Sequence, residues 1–161
     1  GGGEAATLEP LHEHLFEYKT HMMQNYGAGV QACYRGPRLY DTPETQAAVT
    51  EVIQWYKKYR DILNSDMIHL RRPDARDWDG FIHVNPHKKE KGLAMFFNPA
   101  HQEITRTIHI PLYYTGLTQT ARIREKEQKP VTYKLNRDYT VELTVKIPAN
   151  GYTWYVVEAA D

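Results

Sequence analysis

The hydrophobic pattern of the chain changes its period near Asn64, and this change constrains the fold more than any other feature. Before it, over residues 42–64, apolar residues recur at steps of three and four, which is typical of one stripe of a helix. After it, several short segments alternate between apolar and polar residues, as strands with one buried face do. The sequence therefore predicts an α+β fold, with two helices and a short strand first and an antiparallel β-sandwich second.

The helix predicted at residues 42–64 carries clear start signals. Thr42 can accept hydrogen bonds from the free amides, Pro43 suits the first helical position, and Glu44 faces the positive end of the helix dipole. The apolar stripe is wide enough for us to expect packing against two neighbours. Its members are Val49, Val52, Ile53, Trp55, Tyr56, Tyr59, Ile62 and Leu63.

An earlier helix and a short strand precede it. Apolar residues at helical spacing predict a helix over residues 8–25, with Gly27 just past its end as a left-handed cap. Residues 29–34, GVQACY, have the composition of a short buried strand and precede the turn-forming residues 35–37. Cys33 is expected to be a small core residue there rather than a nucleophile. Helix, strand and helix together form one unit, residues 1–65, of an α/β layer.

The remainder, residues 66–161, is predicted to be a sandwich of about seven to eight strands. Residues 67–79 are charged and contain Pro73, so we expect a connection there. Seven segments have strand-like patterns, and turn-forming residues at 86–91, 98–101, 136–138 and 149–151 separate several of them. The predicted strands are 81–84, 93–97, 105–114, 120–124, 131–135, 141–147 and 152–158.

The composition excludes several classes of partner. Lys plus Arg equal Asp plus Glu at 20 each, so no net field attracts nucleic acid or an anionic membrane surface. No apolar run reaches the roughly 20 residues that a membrane span needs. A single cysteine, Cys33, excludes an internal disulfide and a multi-cysteine metal site. We therefore expect no nucleic acid, membrane or cofactor, and the cellular compartment stays open.

Candidate metal ligands are poorly spaced. His12 and His14 lie two residues apart on the first helix and point to different faces. The other histidines that we considered have no companion at ligand spacing, and they are His83, His87, His101 and His109. An acidic and basic stretch at residues 74–79 suits a salt-linked seam between helices and sandwich. A calcium loop is the alternative, although Arg76 lies in its middle.

Aromatic residues are abundant, with 12 Tyr, 3 Trp and 4 Phe. Half-buried aromatic rows in sheets explain such a composition, and so do flat faces for stacking on sugars. Tyr113 and Tyr114 are adjacent in a predicted strand, so one of them should face outward. The candidate stacking residues are Tyr113, Tyr114, Trp154 and Tyr155.

Three segments resemble the carboxyl-terminal end of α-galactosidase-like glycoside hydrolases, in which a (β/α)₈ barrel is followed by a small antiparallel β-sandwich. GLAMFFNPAHQEITRTIHIPL is similar to a strand pair of that sandwich, and KIPANGYTWYVVE to its closing strand. NYGAGVQACYRGPRLYDTPETQAAV is similar to the last barrel strand, its loop and the last helix. The resemblance implies that residues 1–65 end a truncated barrel and that residues 66–161 form an accessory domain.

The resemblance also implies where the chemistry of the parent enzyme lies. Barrel enzymes react at the carboxyl ends of their strands, which here places substrate contacts at Tyr34, Arg35, Arg38 and Tyr40. The catalytic carboxylates come from earlier strands that this chain lacks, and Asp41 alone cannot replace a pair. We therefore expect a chain without turnover, cut from a longer protein. The location of that parent stays open, with the secreted and periplasmic compartments as candidates.

The expected partners follow from the same resemblance. They are the rest of the barrel and carbohydrate, with a carbohydrate-binding module that uses exposed aromatics as the alternative function. The strand at residues 29–34 would lack its parallel neighbours, so it could pair with another copy of the chain.

Overall fold

The computed structural model describes residues 13–29 and 41–160, which form parts of two compact units, Gly1–Leu63 and Asn64–Asp161. The described residues contain two α-helices followed by eight antiparallel strands in two sheets, so the predicted α+β class is confirmed. The strand predicted at residues 29–34 lies outside the described residues except for Gly29, which is in a turn.

The first helix, α1 (Leu15–Gly27), extends slightly beyond its predicted end. Gly27 is its last residue rather than a residue past the end. The amides of Ala28 and Gly29 close the last turn, donating to the carbonyls of Gln24 at 3.2 Å and Tyr26 at 3.0 Å. Gly29 then takes the left-handed conformation, with φ of 77°, which glycine adopts without steric cost. The predicted left-handed glycine is therefore two residues later.

The second helix, α2 (Pro43–Leu63), begins as its sequence predicts. The Thr42 hydroxyl accepts from the amide of Thr45 at 3.3 Å, and the Thr45 hydroxyl accepts from the amide of Thr42 at 3.0 Å. This reciprocal arrangement satisfies two amides at once, as a capping box does. The backbone departs from helical geometry at Tyr59, whose φ is −106° and ψ is 15°.

Two contacts fix the relative direction of α1 and α2. Lys19 Nζ lies 2.8 Å from Glu51 Oε1, and seven residues further along α1 the ring of Tyr26 lies 5.0 Å from the ring of Tyr56. A later residue of α1 thus meets a later residue of α2. The two helices therefore run in the same direction.

The second unit is built from strands alone apart from one short 3₁₀ turn. The strands are β1 (Asp66–Arg71), β2 (Asp79–Val84), β3 (Glu90–Phe97), β4 (Ile104–Pro111), β5 (Thr120–Glu125), β6 (Val131–Lys134), β7 (Thr140–Ile147) and β8 (Tyr152–Glu158). A six-stranded sheet has the order β1-β2-β3-β8-β5-β6, and β4 pairs with β7 in a two-stranded sheet. All described pairs are antiparallel.

Strand β1 corrects the expectation that residues 67–79 only connect the two halves. It pairs with β2 from Asp66 opposite Val84 to Arg71 opposite Gly80, with an irregularity after His69. It is an edge strand with no fully buried residue, although Ile68 and Leu70 pack partly against the core. Its alternation of apolar and polar residues is short and is followed by a charged stretch with Pro73, which favoured the prediction of a connection.

The main core lies between the two sheets. The inward side chains of β7 alternate with exposed ones, as the sequence predicted. Sixteen buried residues from both sheets and their connections form one cluster, which makes this unit a β-sandwich. The cluster comprises Ile82, Val84, Ala94, Phe96, Ile108, Ile110, Leu112, Ala121, Ile123, Leu135, Val141, Leu143, Val145, Ile147, Tyr155 and Val157.

The central strands β3 and β8 are buried on both faces. In β3, Ala94 and Phe96 belong to the core cluster, while Leu93 and Met95 on the opposite face are also buried. Such strands have continuous apolar sequences rather than alternating ones.

The strand predicted at residues 105–114 ends earlier than expected. β4 stops at Pro111, and Tyr113–Thr115 form the 3₁₀ turn.

Neither described helix has the length and apolar character to cross a membrane.

Candidate functional site

The substrate-contact residues predicted from the barrel resemblance cannot be placed. Tyr34, Arg35, Arg38 and Tyr40 all lie outside the described residues. Asp41 is described, and its Oδ1 accepts a hydrogen bond from the Thr45 hydroxyl at 3.2 Å. Its carboxylate thus helps to hold the start of α2.

Two of the predicted stacking residues stand exposed in an aromatic group. Tyr113 and Tyr114 are 62% and 64% exposed, and their rings meet edge to face with centroids 5.0 Å apart. Tyr139 joins them, with its ring 5.5 Å from that of Tyr113. We call Tyr113, Tyr114 and Tyr139 the tyrosine cluster.

The 3₁₀ turn explains why both adjacent tyrosines are exposed, whereas a strand would have pointed one inward. Leu112 is fully buried before the turn, and Gly116, with φ of 79°, closes it. The Thr115 hydroxyl donates to the Leu112 carbonyl inside the turn. A buried residue on each side of the tyrosine pair therefore fixes the turn while the two rings face solvent.

Tyr139 is held from the β6–β7 connection in an uncommon conformation. Its φ is 64°, in the left-handed region that non-glycine residues seldom occupy. Its carbonyl accepts from the amide of Leu112 at 2.9 Å, and its amide donates to the Asn136 carbonyl at 2.9 Å. These two bonds compensate for the strain and place the ring beside Tyr113.

A groove lined mainly by residues with polar side chains begins at Tyr139. It has a volume of about 420 Å³ and runs between the β5 and β6 ends. Apart from Leu135 and Tyr139, every lining residue has a hydroxyl, amide or cationic side chain. These polar residues are Thr118, Gln119, Thr120, Lys134, Asn136 and Arg137. The tyrosine cluster and this groove are continuous through Tyr139.

The other two predicted stacking residues are not available at the surface. Trp154 and Tyr155 are 6% and 8% exposed, so the expectation that they form an exposed platform is wrong. Tyr155 lies in the core cluster, and burial raises the pKa of its hydroxyl. Trp154 pairs with Met95 on the opposite face of the same strand pair. Because β8 is buried on both faces, neither side chain can stack on a ligand.

The charged loop at residues 74–79 organises the sandwich itself. Asp74 Oδ1 accepts from the amides of Arg76 and Asp77, and Asp74 Oδ2 lies 2.9 Å from Arg71 Nη2. These bonds, led by that from Arg71, hold the pKa of Asp74 well below its usual range. Arg71 also donates to the Trp78 carbonyl. The described ion pairs of this loop, Arg71–Asp74 and Arg106–Asp77, lie within the sandwich, and the seam with the helices stays a prediction.

Asp77 extends the same network to the second sheet. Its Oδ1 accepts from the Trp78 amide at 2.7 Å and from Arg106 Nε at 3.2 Å. These contacts, the Trp78 amide first, lower the pKa of Asp77. The carboxylates of Asp74 and Asp77 therefore already accept hydrogen bonds from protein groups. Within the described residues, no group of three or more His, Cys, Asp or Glu could hold a metal ion.

Asp79 behaves differently from its neighbours. Burial raises the pKa of this carboxyl to about 6, against the attraction of Arg71. A carboxyl with such a pKa can donate or accept a proton near neutral pH, but glycoside hydrolysis needs two acids flanking one bond. Asp79 lies on β2 of the sandwich, and its partner in the sheet register is Phe97. We therefore interpret it as a determinant of stability.

Three of the histidines considered as metal ligands contact protein groups. His83 is buried, and its Nδ1 lies 3.1 Å from the Ser65 carbonyl. His109 contacts Glu142 across the β4–β7 pair at 3.1 Å. His101 Nδ1 lies 3.2 Å from the Asn150 side chain.

Sequence reasoning missed Tyr139 and the groove. Tyr139 follows the turn residues 136–138. The sequence predicts this turn but does not show which of its side chains is presented at the surface. Tyr113 lies in the β4–β5 connection and Tyr139 in the β6–β7 connection, and only the pairing of β4 with β7 brings the two together.

No protein-family model matches the sequence, and no curated protein matches it either. Solved structures do share its fold. A β-L-arabinopyranosidase from Geobacillus stearothermophilus, solved in complex with arabinose, matches 91% of this chain with a TM-score of 0.59 and 12% identity. α-Galactosidase I from Mortierella vinacea matches 88% of it with a TM-score of 0.58 and 15% identity.

The matched region is a minor part of each of those chains, 31% of the arabinopyranosidase and 35% of the α-galactosidase. At these identities the likeness concerns the fold. The resemblance predicted from the sequence is thus confirmed at that level, and the chain has the fold of about a third of an α-galactosidase-like glycoside hydrolase.

Proposed function

We propose that this chain is the carboxyl-terminal part of an α-galactosidase-like glycoside hydrolase, in which it is not itself catalytic. Residues 1–65 supply the end of the catalytic barrel, and residues 66–161 form an accessory sandwich that braces it. The observation that carries the proposal is the fold likeness over 91% of this chain but only 31% of a glycosidase.

The direction of the two helices supports the barrel part of the proposal. In a (β/α)₈ barrel, successive helices run parallel because a strand returns the chain between them. α1 and α2 run parallel, as the Lys19–Glu51 and Tyr26–Tyr56 contacts require. The predicted strand at residues 29–34 lies between them in sequence and can serve as the returning strand. An α-helical hairpin would instead have placed the helices antiparallel.

The substrate contacts of the parent enzyme are proposed at Tyr34, Arg35, Arg38 and Tyr40. They follow the returning strand, and barrel enzymes bind substrate where strands end. Arginine side chains offer a fixed set of donors to sugar hydroxyls or a uronate carboxylate. The partners of this chain are then the remaining barrel and a carbohydrate substrate.

The absence of turnover from this chain follows from the requirement for two acids. Asp41 is the described acid that directly follows the proposed substrate loop in the sequence, and Thr45 engages its carboxylate. Asp79 belongs to the sandwich. The nucleophile and the acid are therefore proposed to come from barrel strands that precede residue 1.

Activity assays test this proposal directly. The 161-residue chain is incubated with p-nitrophenyl α-galactoside and p-nitrophenyl β-L-arabinopyranoside, with Asp41→Asn as the matched variant. We expect no release of nitrophenol above buffer from either protein. Turnover that Asp41→Asn abolishes would refute the non-catalytic role.

The native gene offers a second test. We expect the region upstream of residue 1 to encode about 300 residues with alternating strand and helix patterns. An upstream region without such a repeat would refute the barrel assignment.

Self-association through residues 29–34 is tested by sedimentation experiments at several dilutions. A dimer of the isolated chain should dissociate when the missing barrel part is supplied.

A further inference from the structure

We propose that the tyrosine cluster and the adjoining groove form a binding site for a neutral pyranose oligosaccharide. The site lies entirely within the sandwich, so the proposal does not depend on the function of the barrel part. It requires surface aromatic rings, hydrogen-bond donors and acceptors beside them, and a rigid support.

The rings provide two exposed faces at right angles. Tyr113 and Tyr114 are each more than half exposed, and their planes differ by 88°. A pyranose ring has faces made of C–H groups, whose hydrogens carry a partial positive charge. The negative face of an aromatic ring attracts such hydrogens, so a sugar can lie on one tyrosine and contact the edge of the other.

The groove provides partners for hydroxyl groups. Gln119 and Asn136 have both donor and acceptor atoms, and Thr118 and Thr120 carry hydroxyls. The volume of about 420 Å³ falls within the range of small-molecule sites, roughly 300–1,000 Å³. A sugar stacked on Tyr139 could therefore extend its next unit into the groove.

Charge favours a neutral ligand over an anionic one. Lys134 and Arg137 line the groove, but Asp138 follows directly in the chain. The Thr140 hydroxyl donates to Asp138 Oδ1, and this bond lowers the pKa of Asp138 and keeps it ionised. The resulting net charge is small, so the cations act mainly as donors to hydroxyls.

The support is rigid because the backbone of the cluster is anchored on both sides. Leu112 binds the Tyr139 carbonyl through its amide and is itself fully buried. Tyrosine has few rotatable bonds, so little conformational entropy is lost when it binds a ligand. The left-handed residue Tyr139 thus places its ring where Tyr113 and the groove meet, which is consistent with a selected binding position.

An NMR titration tests the proposal with raffinose and maltotriose as probes. We expect amide shifts at Tyr113, Tyr114, Tyr139 and Asn136, with a dissociation constant on the order of 1 mM. Tyr114→Ala should weaken binding at least about fivefold. Tyr139→Gly removes the third ring while leaving a residue suited to positive φ, and it should weaken binding similarly.

Val131→Ala is the matched control, because Val131 is an apolar surface residue of the same sandwich, 53% exposed. It should bind like the unchanged chain, and circular dichroism should show that all variants fold. The proposal is overturned if neither probe shifts the cluster amides, or if Tyr114→Ala and Tyr139→Gly bind as well as the control does. It is equally overturned if Tyr114→Ala only abolishes a dimer, which would identify the occupant as a second copy. None of these results would alter the proposed barrel role, which the nitrophenyl assays and the upstream sequence test separately.

Discussion

Arg106 and Asp77 connect the two sheets of the sandwich. Arg106 Nε donates to Asp77 Oδ1 at 3.2 Å, and Nη2 lies 3.1 Å from the same oxygen. Arg106 belongs to β4 of the two-stranded sheet, while Asp77 lies in the loop between β1 and β2, just before β2 of the six-stranded sheet. The pair therefore links the β1–β2 loop, whose two strands both belong to the six-stranded sheet, to β4 of the other sheet.

Removal of the Arg106–Asp77 pair should lower the free energy of unfolding by a small amount that depends on salt concentration. Both side chains are more than a third exposed, so solvent screens their attraction, and we expect a coupling energy of about 0.5 kcal/mol. A double-mutant cycle with Arg106→Met and Asp77→Asn measures it, because the asparagine side chain keeps an acceptor for the Trp78 amide. The Lys146–Glu103 pair, separated by 3.9 Å and more exposed, is the control and should show no measurable coupling. Equal coupling in both pairs would contradict a specific link between the sheets.

Asp79 should make the protein less stable as the pH rises. Burial raises the pKa of this carboxyl from 3.8 to about 6, so between these values the folded chain binds more protons than the unfolded chain. Stability from this group is therefore full below about pH 4 and declines until about pH 6 is passed. Asp79→Asn should remove the decline and increase the free energy of unfolding at pH 7 by about 1–2 kcal/mol, since solvent screening of a partly exposed carboxyl reduces the full effect. Urea unfolding at several pH values between about 4 and 7 measures both effects.

Asp138→Asn is the control for that series, since the Thr140 hydroxyl lowers the pKa of Asp138. Its contribution has the opposite sign: it is present above the ordinary pKa and is lost as the solution becomes more acidic. Asp138→Asn should therefore not increase stability at neutral pH. A flat pH profile of the unchanged chain between about pH 4 and 6 would argue against a buried, ionisable Asp79.

The sequence predicted the strands that have one buried and one exposed face. In β7, Val141 and Ile147 are buried and Glu142 is exposed, so alternation revealed both the strand and its orientation. The cap at Thr42 was predictable because its partner, Thr45, is three residues away. Local chemistry and one-sided burial were thus sufficient for most of the elements.

The sequence failed where a residue's surroundings depend on distant strands. Trp154 and Tyr155 were predicted to be exposed aromatics, but β8 is central and is covered on both faces. The pattern of residues 105–114 predicts a strand that includes Tyr113 and Tyr114, but β4 ends at Pro111. The contact between Tyr113 and Tyr139 depends on β4 pairing with β7, which no short segment determines.

Asn98 should be among the most sensitive polar residues of the sandwich. It is 2% exposed, and its side chain is bonded to four backbone groups. Nδ2 donates to the carbonyls of Gln102, Ile147 and Pro148 at 2.9, 3.2 and 3.1 Å, and Oδ1 accepts from the Ala100 amide at 2.9 Å. Asn98→Asp would place a carboxylate oxygen against three carbonyls. We therefore expect the free energy of unfolding to fall by about 3 kcal/mol or more at neutral pH. Thermal or urea unfolding measures this decrease.

Asn85 is a suitable comparison for Asn98. Its side chain also bonds at both ends, with Nδ2 donating to Ser65 Oγ at 3.1 Å and Oδ1 accepting from the His87 amide at 2.9 Å, but it is less buried. Asn85→Asp should cost about 1 kcal/mol or less. Equal losses at the two positions would show that the buried bonds of Asn98 do not carry the connection between β3 and β7.

Gly80 should tolerate no side chain, because β3 crosses close to it. A Cβ atom added there would lie 2.6 Å from the Met95 carbonyl oxygen and 3.1 Å from Cδ1 of Phe96. The oxygen belongs to the backbone of the neighbouring strand, so relief requires a shift of β2 against β3, and Gly80→Ala should lower the free energy of unfolding by about 2–3 kcal/mol. Gly92→Ala is the matched control in the same strand pair, since the atoms nearest to its Cβ would belong to the Val157 and Ile82 side chains rather than to backbone, the closest at 3.2 Å. We expect a loss of about 1 kcal/mol or less from that change. Urea unfolding of both variants measures the difference, and a smaller loss for Gly80→Ala than for Gly92→Ala would contradict the close approach of the two strands.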